Sequence, residues 1–86
     1  MKAHIYVTLR TTVLDPQGQT IHGALRKMQY KGVESVRQGK YFQVTLNDDM
    51  TLAEAQTEIE RIAREVLVNP VMEEYTYRLD VASASA

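Results

Sequence analysis

The chain has 86 residues, 10 basic against 11 acidic for a formal net charge of -1, and no cysteine. A length of this order makes one small domain that buries only part of its surface, so oligomerisation or docking on a larger partner is the expected source of extra stability. The balanced charge gives no electrostatic reason to expect a nucleic-acid partner, and without cysteine there is no disulfide, thiolate metal site or cysteine nucleophile.

The N-terminal Met1-Lys2-Ala3-His4-Ile5-Tyr6 lacks the apolar core of a signal peptide, and no stretch approaches the roughly 20 apolar residues of a membrane span. The expectation is an unprocessed protein of the cytoplasm with no membrane partner. Ala3, Ile5, Val7 and Leu9 alternate with His4, Tyr6 and Thr8, which predicts a first strand with one face on a core. In Val13-Leu14-Asp15-Pro16-Gln17-Gly18, Asp15 suits a helix N-cap and Pro16 the first helical position, where a missing N–H costs nothing. Ile21, Ala24, Leu25 and Met28 then recur at helical spacing, with cations and Gly32 at the expected end.

Val33 to Leu46 reads as a strand pair with a hairpin turn at Gln38-Gly39-Lys40, its second half alternating Phe42, Val44 and Leu46 with Tyr41, Gln43 and Thr45. Thr51 and Glu54 have capping-box spacing. Leu52, Ala55, Ile59, Ile62, Ala63, Val66 and Leu67 trace one face of the second helix, which Asn69-Pro70 ends. Tyr75, Tyr77, Leu79 and Val81 predict a last strand, and the Ala/Ser run 82–86 a disordered tail. The expected fold is therefore a single α+β domain over residues 1–81. Its order is βαββαβ in a ferredoxin-like arrangement, an antiparallel four-stranded sheet with two helices on one face. The other face, with His4, Tyr6, Thr8 and Arg10 beside Tyr41, Gln43 and Thr45, is half polar and half aromatic, and is expected to meet a second copy or a partner.

No catalytic constellation appears. His4 and His22 have no second imidazole or cysteine at ligand spacing, Asp48-Asp49 complements a helix dipole, and Gly18 and Gly23 form neither a dinucleotide fingerprint nor a P-loop. Tyr6 and Tyr41 could stack bases as in an RNA-recognition motif, but the surrounding glycine-aromatic pattern is incomplete and cations are few, which favours a core or protein interface. An acylphosphatase-like site would need a phosphate-cradling loop, whereas Arg10 is followed by Thr11-Thr12-Val13-Leu14.

Over nearly its whole length the chain resembles the PurS family, the small subunit of phosphoribosylformylglycinamidine (FGAM) synthase in purine biosynthesis. The residues that carry the resemblance are Tyr6-Val7-Thr8-Leu9, Val13 to Gly18, Ala24-Leu25, Val36-Arg37-Gln38-Gly39-Lys40-Tyr41 and Leu67 to Tyr75. It implies a non-catalytic subunit of a glutamine- and ATP-dependent ligase, itself a dimer or tetramer. Such a subunit bridges a glutaminase (PurQ) and a large synthetase (PurL) and assists ammonia transfer. It binds no cofactor alone, ATP and glutamine being used by the partner subunits. The family pattern falls on Asp15, Gln17, Arg37, Lys40 and Asn69, which join Tyr6, Arg10 and Tyr41 as interface candidates. Capping and helix termination explain Asp15 and Pro70 without any partner. A small-molecule-binding regulatory domain is the alternative function.

Overall fold

The computed structural model describes residues 1–80, so Val81 and the expected tail 82–86 lie outside the described residues. The elements are β1 (Lys2–Leu9), α1 (Pro16–Lys27), β2 (Gly39–Thr45), α2 (Leu52–Ile62) continued by a π-helical turn (Ala63–Leu67), and β3 (Glu73–Asp80). Both pairings of the central β1 are antiparallel, giving the strand order β2-β1-β3. Ile5 lies opposite Phe42 on one side and Tyr77 on the other. The period-two alternation of β1 is translated directly into burial: Ala3, Ile5 and Val7 are buried, while Lys2, Tyr6 and Thr8 are exposed.

The core lies between this face and α2. Ile5, Val7 and Ile59 are its largest fully buried side chains, with Ala3 and Ala63 between them and Phe42, Val44, Tyr75, Tyr77 and Leu79 around the rim. The capping box forms as its spacing requires: Thr51 accepts from the Glu54 N–H at 3.1 Å, and Glu54 accepts from the Thr51 N–H at 2.8 Å. At the far end the Val68 N–H reaches back to the Ala63 carbonyl at 3.0 Å, and the extended Val68 ends the helical run before Asn69-Pro70.

Two expectations are corrected. The sheet has three strands among the described residues, not four, because residues 33–38 pair with no strand. Their polar groups are taken instead by α1 and Asp15: the Val33 carbonyl bonds the His22 ring and the Gln38 N–H bonds the Asp15 carboxylate. There is accordingly no hairpin at Gly39, which begins β2. The two helices also do not share the covering of one face, since no α1 side chain enters the core cluster.

The end of α1 is set by geometry that the sequence does not announce. Gln29 adopts a left-handed φ of 74°, the Tyr30 N–H returns to the Leu25 carbonyl at 3.0 Å and the Gln29 N–H to Arg26, a Schellman closure made without glycine. A side chain in that region is strained by roughly 1 kcal/mol. Gln29→Gly is therefore expected to stabilise the chain by up to about 1 kcal/mol, measured as a rise in denaturation midpoint at unchanged m-value; a lower midpoint would show that the Gln29 side chain carries an interaction of its own.

Candidate functional site

Five of the eight residues singled out from the sequence, with Gln17 beside them as a sixth, gather where β1 ends and β2 and β3 begin. Asp15, only 6% exposed, uses both carboxylate oxygens: Oδ1 accepts from the Gly18 N–H at 3.0 Å and Oδ2 from the Gln38 N–H at 2.7 Å. One side chain thus caps α1 and fastens the segment that leads into β2. Gly18 permits the approach, because a Cβ there would stand 2.3 Å from the Val36 carbonyl oxygen. The bonds from Gln38 and Gly18, assisted by the Arg37 charge, hold the Asp15 carboxyl below its ordinary value of 3.8.

Arg37 turns inward. Its Nη2 donates to the Arg10 carbonyl at 3.1 Å and the Val13 carbonyl at 2.9 Å, while Arg10 Nη2 donates to the Pro70 carbonyl at 2.9 Å. The two arginines therefore stitch three connections of the chain together. Asn69 Oδ1 accepts from the Val71 N–H, and the Asn69 N–H donates to Glu73 Oε1 at 2.8 Å. Lys40 reaches Glu73 Oε2 at 3.4 Å, and the Asn69 bond first, then Lys40, lowers the Glu73 pKa. Beside these groups a groove of about 440 Å³ runs past Val7, Leu9, Gln17 and Gly39. Its carboxylates are committed to backbone N–H groups and Lys40, and no cluster that could hold a metal exists among the described residues.

Tyr6 and Tyr41 stand apart on the open face of the sheet, directly opposite each other in register, 43% and 52% exposed, with ring centroids 5.4 Å apart. His4 stacks on Tyr41 and bridges the strands: one ring nitrogen meets the Tyr41 hydroxyl at 2.5 Å and the other Asp80 Oδ2 at 2.8 Å. With the Nε2 proton donated to the carboxylate, Nδ1 accepts from the tyrosine hydroxyl. The sequence reading left His4 and Asp80 without a joint role and missed Glu73. Antiparallel register across strands distant in sequence brings the first pair together, so no local motif announces it. Glu73, four residues after Asn69, is a turn spacing that could have been read.

This arrangement offers a rigid turn cluster and a polar-aromatic sheet face, and no nucleophile with a positioned base. A family model described as PurS, phosphoribosylformylglycinamidine (FGAM) synthase, matches residues 2–81. The chain belongs to the PurS family. A PurS subunit of Mycobacterium leprae is 40% identical over 75 residues, covering 87% of this chain and 90% of that one. The structure is similar to a Bacillus subtilis PurS crystal structure at TM-score 0.78 and 36% identity, covering 92% and 96% of the two chains. It is also similar to a chain of the PurLQS structure from Thermotoga maritima, at TM-score 0.73 and 33% identity, covering 90% and 93%. The turn cluster and the open face are thus features of a PurS subunit of FGAM synthase.

Asp15→Asn removes one acceptor oxygen and sets an NH₂ against a backbone N–H. The PurS chain should then melt lower by about 5 °C or more at pH 7. Because the folded pKa of Asp15 is depressed, its stabilisation is complete above the ordinary carboxylate value and is lost as pH falls through the folded pKa. The gap between wild type and variant should narrow progressively in melts taken at pH values falling below the ordinary carboxylate value of 3.8; a gap independent of pH would assign the effect to packing instead.

Proposed function

We propose that this PurS chain is the bridging subunit of the FGAM synthase complex, joining a glutaminase (PurQ) to a large synthetase (PurL) and assisting ammonia transfer between them. The reaction it supports is the ATP-dependent conversion of formylglycinamide ribonucleotide to formylglycinamidine ribonucleotide. The chain binds no cofactor itself, ATP and glutamine serving the partner subunits, and it works in the cytoplasm as a dimer or tetramer. Among the described residues no helix is long and apolar enough to cross a membrane.

The open sheet face carries this reading. Tyr6 and Tyr41 present paired rings with free edges, and tyrosine gives a large contact area at low conformational cost. His4, held between Tyr41 and Asp80, stiffens the platform. Arg37 through Nη2 and Asn69 through Oδ1, in contrast, bond their own chain, so they act by fixing the turns beside that face.

Formation of formylglycinamidine ribonucleotide with purified synthetase and glutaminase should need this chain when glutamine is the nitrogen source and far less when ammonia is supplied. Replacing Tyr6 and Tyr41 together by Ser should lower the glutamine-driven rate at subsaturating subunit by about tenfold or more, with ammonia-driven turnover nearly unchanged and only a modest loss of thermal stability from the lost cross-strand pair. Equal rates with and without the chain would overturn the bridging function; an unimpaired double variant would move the contact away from this face.

A further inference from the structure

We propose that the turn closing α1 carries a binding site for a nucleoside monophosphate, with Arg26 and Lys31 on the phosphate and the Tyr30 ring on the base. The bridging function does not require such a site, and the inference stands apart from it.

The chain reverses at the left-handed Gln29, which sets Tyr30 and Lys31 beside the helix they have just left. His22 Nε2 lies 3.0 Å from the Val33 carbonyl and ties the returning segment to the middle of α1. Helix and returning chain enclose a pocket of about 320 Å³ lined by His22, Arg26, Tyr30, Lys31 and Val33. Ligand sites begin near 300 Å³, so this one suits a single mononucleotide and is too small for a dinucleotide. His22 and Arg26 stand about 100° round the helix from the apolar stripe of Ile21, Leu25 and Met28, so the two surfaces are separate.

The positive charge of the pocket is unanswered within the chain. From Pro16 to Val33 there is no carboxylate, and Glu34, which follows, does not line the pocket. Among the described residues neither Arg26 nor Lys31 pairs with a carboxylate. Cations at a helix C-terminus ordinarily answer the macrodipole. Here backbone N–H groups already meet that need: Met28 returns to the Ala24 carbonyl at 3.1 Å, Tyr30 to Leu25 at 3.0 Å and Gln29 to Arg26 at 3.0 Å. Lys31 also lies beyond the last helical residue, Lys27. Two cations around a concavity without a counter-charge make a field that draws an anion. The guanidinium fork matches two phosphate oxygens, and the ammonium adds a point charge beside it.

The other two side chains make the anion a nucleotide. The Tyr30 ring is 53% exposed and has no aromatic partner among the described residues. A base stacks on such a ring whatever its identity, because every base has a π-face. A carbonyl only accepts, so His22 Nε2 carries the proton toward Val33 and Nδ1 of the neutral ring is left as an acceptor, the partner a ribose hydroxyl needs. No group able to attack the ligand lines the pocket, so the nucleotide is bound unchanged.

The test is equilibrium dialysis of the full chain against labelled adenosine 5′-monophosphate (AMP), with ribose 5-phosphate, inorganic phosphate and adenosine as competitors. One AMP should bind per chain with a dissociation constant below about 1 mM. Ribose 5-phosphate should displace it, inorganic phosphate more weakly, and adenosine at equal concentration not at all. Arg26→Gln with Lys31→Gln should weaken AMP binding at least about tenfold. Lys2→Gln with Arg64→Gln, which removes the same charge from exposed positions elsewhere, should leave it unchanged. Tyr30→Leu should weaken AMP severalfold and leave ribose 5-phosphate as it was, so that the preference between them is lost. Melting curves confirm that each variant folds. No saturable AMP binding up to about 10 mM, or equal losses in the two charge variants, would overturn the site. A preference for AMP that survives Tyr30→Leu would overturn the stacking assignment, and a single-stranded oligonucleotide that binds more tightly than AMP would assign the pocket to nucleic acid instead. Binding is read on this chain alone, so no outcome turns on whether it bridges the larger subunits.

Discussion

Everything at one end of this molecule depends on the two oxygens of Asp15. One holds the first turn of α1 and the other holds the Gln38 N–H, so a single carboxylate decides both where the helix starts and where the chain re-enters the sheet. Burial makes the arrangement obligatory: with 6% exposure, water cannot replace a lost partner on either side. Gly18 is the matching constraint, since any side chain there would collide with the Val36 carbonyl and part the two segments that Asp15 joins. The arginines extend the same logic outward, Arg37 closing the loop before α1 and Arg10 closing the turn before β3.

The rest of the chain has little to spare. Three large side chains, Ile5, Val7 and Ile59, are fully buried, and the small Ala55 and Ala63 bring α2 close to the sheet at the cost of apolar volume. A core of this size supports β1, its two neighbours and one helix. It leaves an aromatic sheet face on one side and, on the other, an α1 that contributes nothing to the core cluster. Small size and an assembling role are thus the same physical fact seen from two directions.

Much of this was readable from residues alone because much of it is local. The Asp15-Pro16 cap, the Thr51-Glu54 box, the alternation of β1 and the stop at Asn69-Pro70 each act within a few residues, so spacing reveals them. The fourth strand was not readable. Residues 33–38 follow a strand-like composition, yet their hydrogen bonds go to a helix and to Asp15, and no local pattern records which partner wins. The left-handed Gln29 escaped for a similar reason, since glycine is the usual marker and Gly32 stood nearby. At the site, membership of the turn cluster was visible in Asp15, Arg37 and Asn69. The direction of their side chains was not: an arginine at a supposed exposed tip proved to be bonded to two backbone carbonyls of its own chain.

That bonding bears on how a subunit of an enzyme complex keeps its shape. A bridging protein must hold two larger surfaces at a fixed separation, and it does so only if its own turns do not yield under load. The polar side chains of Arg10, Asp15, Arg37 and Asn69 each help to fix a turn, while the open sheet face presents tyrosine rings, whose burial would need no charge to be matched. Exposed charge would have bound partners at the cost of desolvation and salt sensitivity; a stiff frame presenting tyrosines binds through area. The turn-cluster residues thus form the frame, beside an open sheet face of exposed tyrosine rings.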